Sequence, residues 1–134
     1  MRLIGKLRKD DQGLAAVEFA LVLPVLIVAI WGIFQIGLLF EANSGMQHAL
    51  GEGARYATLY DYSTDDHMPT DDSIKARMNA KLFGTGGGAF KVNDPVDGNG
   101  FKTLTITYTR SMDFLFFKGP TIKLSRSKKV YTVN

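Results

Sequence analysis

At 134 residues with no cysteine and a net charge of +3, the chain has room for one small domain and an appendage, and disulfide and thiol chemistry are excluded. The basic balance does not argue for a nucleic-acid partner. Residues 1–13 hold four of the 16 cations and two of the 13 anions, so the remainder carries only +1.

The chain opens with a short basic and polar leader, residues 1–13, "MRLIGKLRKDDQG". An apolar run follows. Residues 19–40 contain no Asp, Glu, Lys or Arg. At 1.5 Å per residue those 22 residues reach about 33 Å, enough to cross the hydrocarbon core of a bilayer. The run is too long for the apolar part of a secretory signal, and "LLFEANSG" offers no Ala-x-Ala cleavage site. Too little protein follows to wrap a helix that is apolar all round, so a buried core helix is excluded as well. We expect a transmembrane helix at 14–40, with lipid as its surroundings. The only polar intruders of residues 19–40 are Trp31 and Gln35, and Pro24, which lacks an amide hydrogen, is expected to kink the helix. Arg2, Lys6, Arg8 and Lys9 precede the run, Glu41 follows it, and the next cation is Arg55. That asymmetry predicts a cytoplasmic N-terminus and a C-terminal domain across the membrane.

From 41 to 60 the helix is expected to continue as an amphipathic extension, because Met46, Leu50, Ala54 and Ala57 recur at three- and four-residue intervals. Gly45, Gly51 and Gly53 weaken that stretch by about 1 kcal/mol each relative to alanine. Their use is to admit a close neighbour, and Gly32 and Gly37 can do the same in the apolar run.

Residues 61–134 read as an α+β domain. "DYSTDDHMPTDDS" is an acidic connection that ends in an N-cap at Thr70, with Asp71 and Asp72 in the first turn of a short helix. Ile74, Met78 and Leu82 mark its buried face and Gly84 its stop. "GTGGGAF" and "NDPVDGNG" are turn material. "FKTLTITYT" alternates Leu104, Ile106 and Tyr108 with polar residues, as a half-buried strand does. "TIKLSRSKKVYTV" is a second strand, and "MDFLFFKGP" reads as a connection closed by a Gly-Pro turn. The expected fold is α+β: a long N-terminal helix, one short helix, and a small antiparallel sheet of two to four strands packed on the amphipathic half of the long helix.

Glu18 is the oddity, a carboxylate already inside the apolar segment. It either sits at the headgroup level and stays wet, or it is a register pin. The second reading needs a cut after Gly13. Leu14 then carries a free amine one helical turn from Glu18 and on the same face. The carboxylate can pair with that amine, or with the amine of an adjacent copy.

The string "QG-LAAVEFAL" resembles the leader and cleavage site of type IV pilin-like proteins, and "AAVEFALVLPVLI" and "GARYAT" are similar to the TadE-like pseudopilins of tight-adherence (Tad, Flp-type) systems. The resemblance implies a type IV pilin-like fold in a bacterial inner membrane, with the C-terminal domain periplasmic or extracellular. It implies cleavage between Gly13 and Leu14 by a membrane-embedded aspartic prepilin peptidase, and assembly guided by Glu18 with Phe19 as its companion. The implied partners are other pilin or pseudopilin subunits and the Tad assembly platform. A Glu-Phe pair, where Flp pilins more often have Glu-Tyr, and a sizeable C-terminal domain favour a minor pilin or pseudopilin, with roles in adhesion or secretion.

Other motifs carry less. "GTGGG" lacks the Gly-Lys-Ser/Thr of a phosphate loop. His48 and His67 have no partner at metal-ligand spacing. Asp61, Asp65, Asp66, Asp71 and Asp72 could gather calcium but do not fit the EF-hand spacing. "KLSRSKK" reads as a solvated, aggregation-resistant strand edge. In "FLFF", residues 114–117, four consecutive apolar residues cannot all face inward on a strand, so Phe114, Phe116 and Phe117 form a candidate surface for a membrane or a partner. No triad, paired catalytic acids or cofactor motif is present, so a non-enzymatic protein is expected. The alternative to a processed pilin is an uncleaved, singly anchored protein whose outer domain binds a ligand.

Overall fold

The computed structural model describes residues 3–59 and 68–131, with side chains from residue 13 onward. In chain order the elements are α1 (Leu3–Ala57), α2 (Asp71–Lys81), β1 (Ala89–Val92), β2 (Val96–Gly98), β3 (Phe101–Phe114) and β4 (Phe117–Tyr131). The long helix, the short helix and the small antiparallel sheet are the α+β, pilin-like layout expected.

α1 is one helix of 55 residues and passes through Pro24 without a break in its helical run. It starts at Leu3, ahead of the expected start at Leu14, so the Gly13–Leu14 bond lies inside helix. The leader's Leu, Lys, Arg and Gln are good helix formers, and one glycine costs only about 1 kcal/mol. At about 80 Å the helix is far longer than the domain it carries. Only its C-terminal part is covered: Ala42, Met46, Ala49, Leu50, Ala54 and Ala57 are buried, the stripe expected from periodicity.

Two layers cover that stripe. α2 begins at its N-cap Thr70, whose side chain accepts from the Ser73 amide at 3.3 Å. It buries Ile74 and Met78 in the common core. Helix α2 ends at Lys81, and Leu82 is already extended, earlier than the expected stop. Gly84, at φ 75°, turns the chain back against Glu41. Gly45 is needed here: a Cβ would run into the Phe83 carbonyl. Gly53 leaves room for Met78 in the same way.

In the sheet β3 is central. β4 pairs with it from Phe101↔Tyr131 to Phe114↔Phe117, while β1 and β2 share its other edge, all antiparallel. Leu104, Ile106 and Tyr108 are wholly buried against α1, as their alternation predicts. Burying each aliphatic side chain contributes about 1.5–3 kcal/mol. β4 lies at the sheet's other margin, with Lys123, Arg126, Lys128 and Lys129 exposed along it.

Three segments differ from expectation. β1 and β2 lie in stretches read as turn, because Phe90 and Val92 gain partners only when β3 is alongside (Phe90↔Tyr108, Val92↔Ile106). The tight turn between β3 and β4 is Leu115 and Phe116, not Gly119 and Pro120. Those two residues instead face the single Met112 across a register shift between Ser111 and Asp113. A bulge is one of the few places in a strand where a residue without an N–H is tolerated.

Candidate functional site

The described helix from Gly13 to Ala57 is long and apolar enough to cross a membrane, and no residue of its most apolar stretch is buried. Leu14, Phe19, Leu21, Val25, Ile27 and Ile30 are bare, and they lie on every side of the helix. A core helix of a water-soluble protein would be covered. The length, composition and exposure of this one are those of a membrane anchor.

On that surface Glu18 is the only charged residue between residues 14 and 40. It is exposed and makes no ion pair among the described residues. Leu14 is one helical turn before it, on the same face, and 62% exposed; a Cβ on Gly13 would meet nothing within 4 Å. The Gly13–Leu14 bond and the carboxylate are therefore side by side on an unobstructed helix, with Phe19, also bare, adjoining them.

The two polar intruders of the apolar run meet the sheet. Gln35 is 1% exposed. Its Nε2 donates to the Asp113 carbonyl, and the Asp113 amide donates back to Gln35 Oε1 at 3.1 Å. Trp31, one turn below, donates through Nε1 to the same carbonyl at 2.7 Å. Phe114 lies over Gly32, its ring edge 3.5 Å from where a Cβ would stand. Both ends of a side-chain amide thus stand in for a neighbouring strand at the position where β3 becomes irregular. Sequence reasoning noted Gln35 and Trp31 as exceptions but assigned them no task. Their spacing of four, which puts both on one helix face, was the available signal.

Beyond this latch the β3–β4 turn is open. Phe114 is half-buried and stacks on Phe117 at 4.8 Å between ring centroids. Leu115, Phe116 and Phe117 are exposed, Phe116 at 73%. Of the suggested surface, Phe116 and Phe117 are available and Phe114 serves as their support. A shallow apolar groove lined by Ile36, Leu39, Phe40 and Leu124 continues upward to the bond from Arg126 Nε to Asn43 Oδ1, 2.7 Å.

The acidic residues do not converge among the described residues. Asp71 and Asp97 both hold Lys102 (2.9 and 2.6 Å), while Asp94 and Asp72 hold Lys75 (2.6 and 3.7 Å). Burial pulls the Lys102 pKa down, but hydrogen bonds to Asp97 and Asp71 outweigh it and the net shift is upward. The Lys75 bond holds Asp94 below the usual carboxylate value, and Lys75 is raised in return. Asp61, Asp65, Asp66 and His67 lie outside the described residues. His48 lies beside the Phe83 ring at 5.8 Å.

Residues 13–55 match the family model described as TadE-like protein. This is the family the string around Glu18 resembles. The matched segment spans Gly13, Glu18, Trp31, Gln35 and the buried stripe through Ala54, and covers neither α2 nor the sheet. No curated protein and no solved structure matches the chain.

Proposed function

We propose that this chain, anchored by the helix of a TadE-like, Tad pilus-associated protein, is a minor pilin or pseudopilin that a prepilin peptidase trims before it joins a Tad (Flp-type) assembly. It inserts with residues 1–13 in the cytoplasm and the sheet on the far side, the orientation that the leader's cations favour. The peptidase cuts between Gly13 and Leu14. Because that bond lies in helix, the cut requires local unwinding, which glycine makes cheaper than any residue but proline.

Cleavage leaves an ammonium on Leu14, one turn from the Glu18 carboxylate. In lipid an unpaired charge costs several kcal/mol, and a neighbouring cation relieves it. Pairing between one copy's Glu18 and another's Leu14 amine fixes their axial stagger, so helices associate in one register with other pilin subunits and the assembly platform. Phe19 and the bare apolar residues around it supply the packing surface. The observation that supports this reading is the single acid, one turn past Leu14, on a helical stretch exposed on all its faces.

Intact-mass measurement of protein from native membranes tests the cut. The mass is expected to lack residues 1–13; a chain that retains them is the uncleaved, anchored alternative. Glu18→Ala is then expected to mature normally but to fail to co-purify with pilus material. Full incorporation of that variant sinks the register role while leaving the cut intact.

A further inference from the structure

We infer that the β3–β4 turn is a second membrane-inserting element, immersed beside α1 in the leaflet on the sheet's side, with phospholipid as its occupant. The inference rests on α1 being a membrane anchor and extends it to a part of the chain that is not helix.

The geometry leaves the turn little choice of medium. β3 descends along α1. Leu104 adjoins Gly53, Arg110 and Leu38 both adjoin Gly86, Asp113 is held by Gln35, and Phe114 reaches Gly32. Leu115 and Phe116 continue past that point. The Gln35 and Trp31 bonds therefore fix the turn to a level inside the charge-free run at 19–40, and two groups side by side at one depth share one surrounding.

Composition changes at the same level. Asp113 and Lys118 face each other in register, and the four residues between them are Phe, Leu, Phe and Phe. A boundary at Gln35 fits the helix as well. Residues 14–34 span about 31 Å, close to the thickness of the hydrocarbon core of about 30 Å. The next turn and a half, up to Glu41, then crosses the headgroup layer. Trp31, with the Phe34 ring 5.7 Å away, lies at the boundary, where tryptophan concentrates. Arg110, whose Nη1 is buried without a hydrogen-bond partner among the described residues, adjoins Gly86, as Leu38 does, and so lies at the headgroup level. A turn of only two residues, closed by the Phe114↔Phe117 pair, brings few unpaired backbone groups into the lipid.

The chain has no cysteine and one tryptophan, so single-site probes report cleanly. Full-length Phe116→Cys, Val25→Cys and Ser125→Cys proteins, each carrying an environment-sensitive fluorophore, are placed in phosphatidylcholine–phosphatidylglycerol vesicles. Quenching by spin-labelled lipid is compared with quenching by aqueous iodide. The expected result is that site 116 is quenched by lipid like site 25 and is at least several-fold less sensitive to iodide than site 125. Unsubstituted protein provides a second reading: Trp31 is expected to be quenched most by bromines high on the acyl chain. Iodide sensitivity at 116 equal to that at 125, with 25 still in lipid, overturns the inserted turn and spares the anchor. A wet site 25 overturns the anchor itself, and the turn with it. Shielding of 116 from both quenchers, with cross-linking to Ile33→Cys of another molecule, assigns the turn to a second copy and overturns lipid as its occupant.

Discussion

Gln35 and Asp113, 78 positions apart, exchange two hydrogen bonds, amide nitrogen to carbonyl and amide hydrogen to carbonyl oxygen. The side chain does for β3 what a further strand would do, at the level where the anchor helix passes into its covered half. The sheet is thereby fastened to the helix at its lower end, while Gly53 and the buried stripe hold it above.

Gln35→Leu keeps the volume and strands the Asp113 amide. Leaving a part-buried donor without a partner costs up to about 1–3 kcal/mol. Detergent-solubilised protein is expected to unfold at a lower temperature by that margin, with the Asp113 amide exchanging faster. Gln35→Glu retains the acceptor for the Asp113 amide but sets a buried carboxylate against the Asp113 carbonyl, and is expected to lose at least as much at neutral pH. Equal stability of Gln35→Leu and the parent would show that the latch contributes nothing.

The glycines of α1 are expected to part in sign. Gly45→Ala puts a methyl into the Phe83 carbonyl, which must shift, whereas Gly51→Ala meets nothing within 4 Å. The first should destabilise by more than the helix-propensity gain it brings, and the second should stabilise by up to about 1 kcal/mol. Urea unfolding of both variants in the same detergent decides it; a shared sign contradicts the close approach.

Tyr108 is wholly buried and donates its hydroxyl to the Thr85 carbonyl at 2.6 Å. Tyr108→Phe removes the donor at nearly constant volume, at a cost of about 1–2 kcal/mol. The loosening should be local. Limited proteolysis at residues 84–88 is expected to accelerate well before the rest of the domain becomes susceptible, and unchanged cleavage there would count against the bond's holding the loop.

The ion pairs set the pH response. Asp94 is held below its ordinary 3.8, so its contribution is present above that value and is lost as pH falls through the lowered pKa. Lys75 and Lys102 are raised above 10.5, so theirs is complete below 10.5 and is lost as pH rises through the raised values. The thermal midpoint should be flat between those limits and fall outside both. Lys75→Met should flatten the acid wing, and added salt should shrink the effect because these groups are solvent-facing.

The length of the apolar run, the acid one turn past Leu14, the stripe on the upper helix and the alternation of Leu104, Ile106 and Tyr108 were all legible in the sequence. Each is a local regularity, set by the 3.6- or 2-residue repeat of one element burying one face. Only the tertiary structure decided that Gln35 would serve Asp113, that Gly45 would admit Phe83, and that β1 and β2 would form at all. It also placed the turn at Leu115 and Phe116, which carry none of the glycine or asparagine that marks such turns, and gave Gly119 and Pro120 to a bulge. These outcomes depend on which distant backbone arrives alongside, and a hydrogen bond between residues 35 and 113 has no counterpart in the spacing around either one.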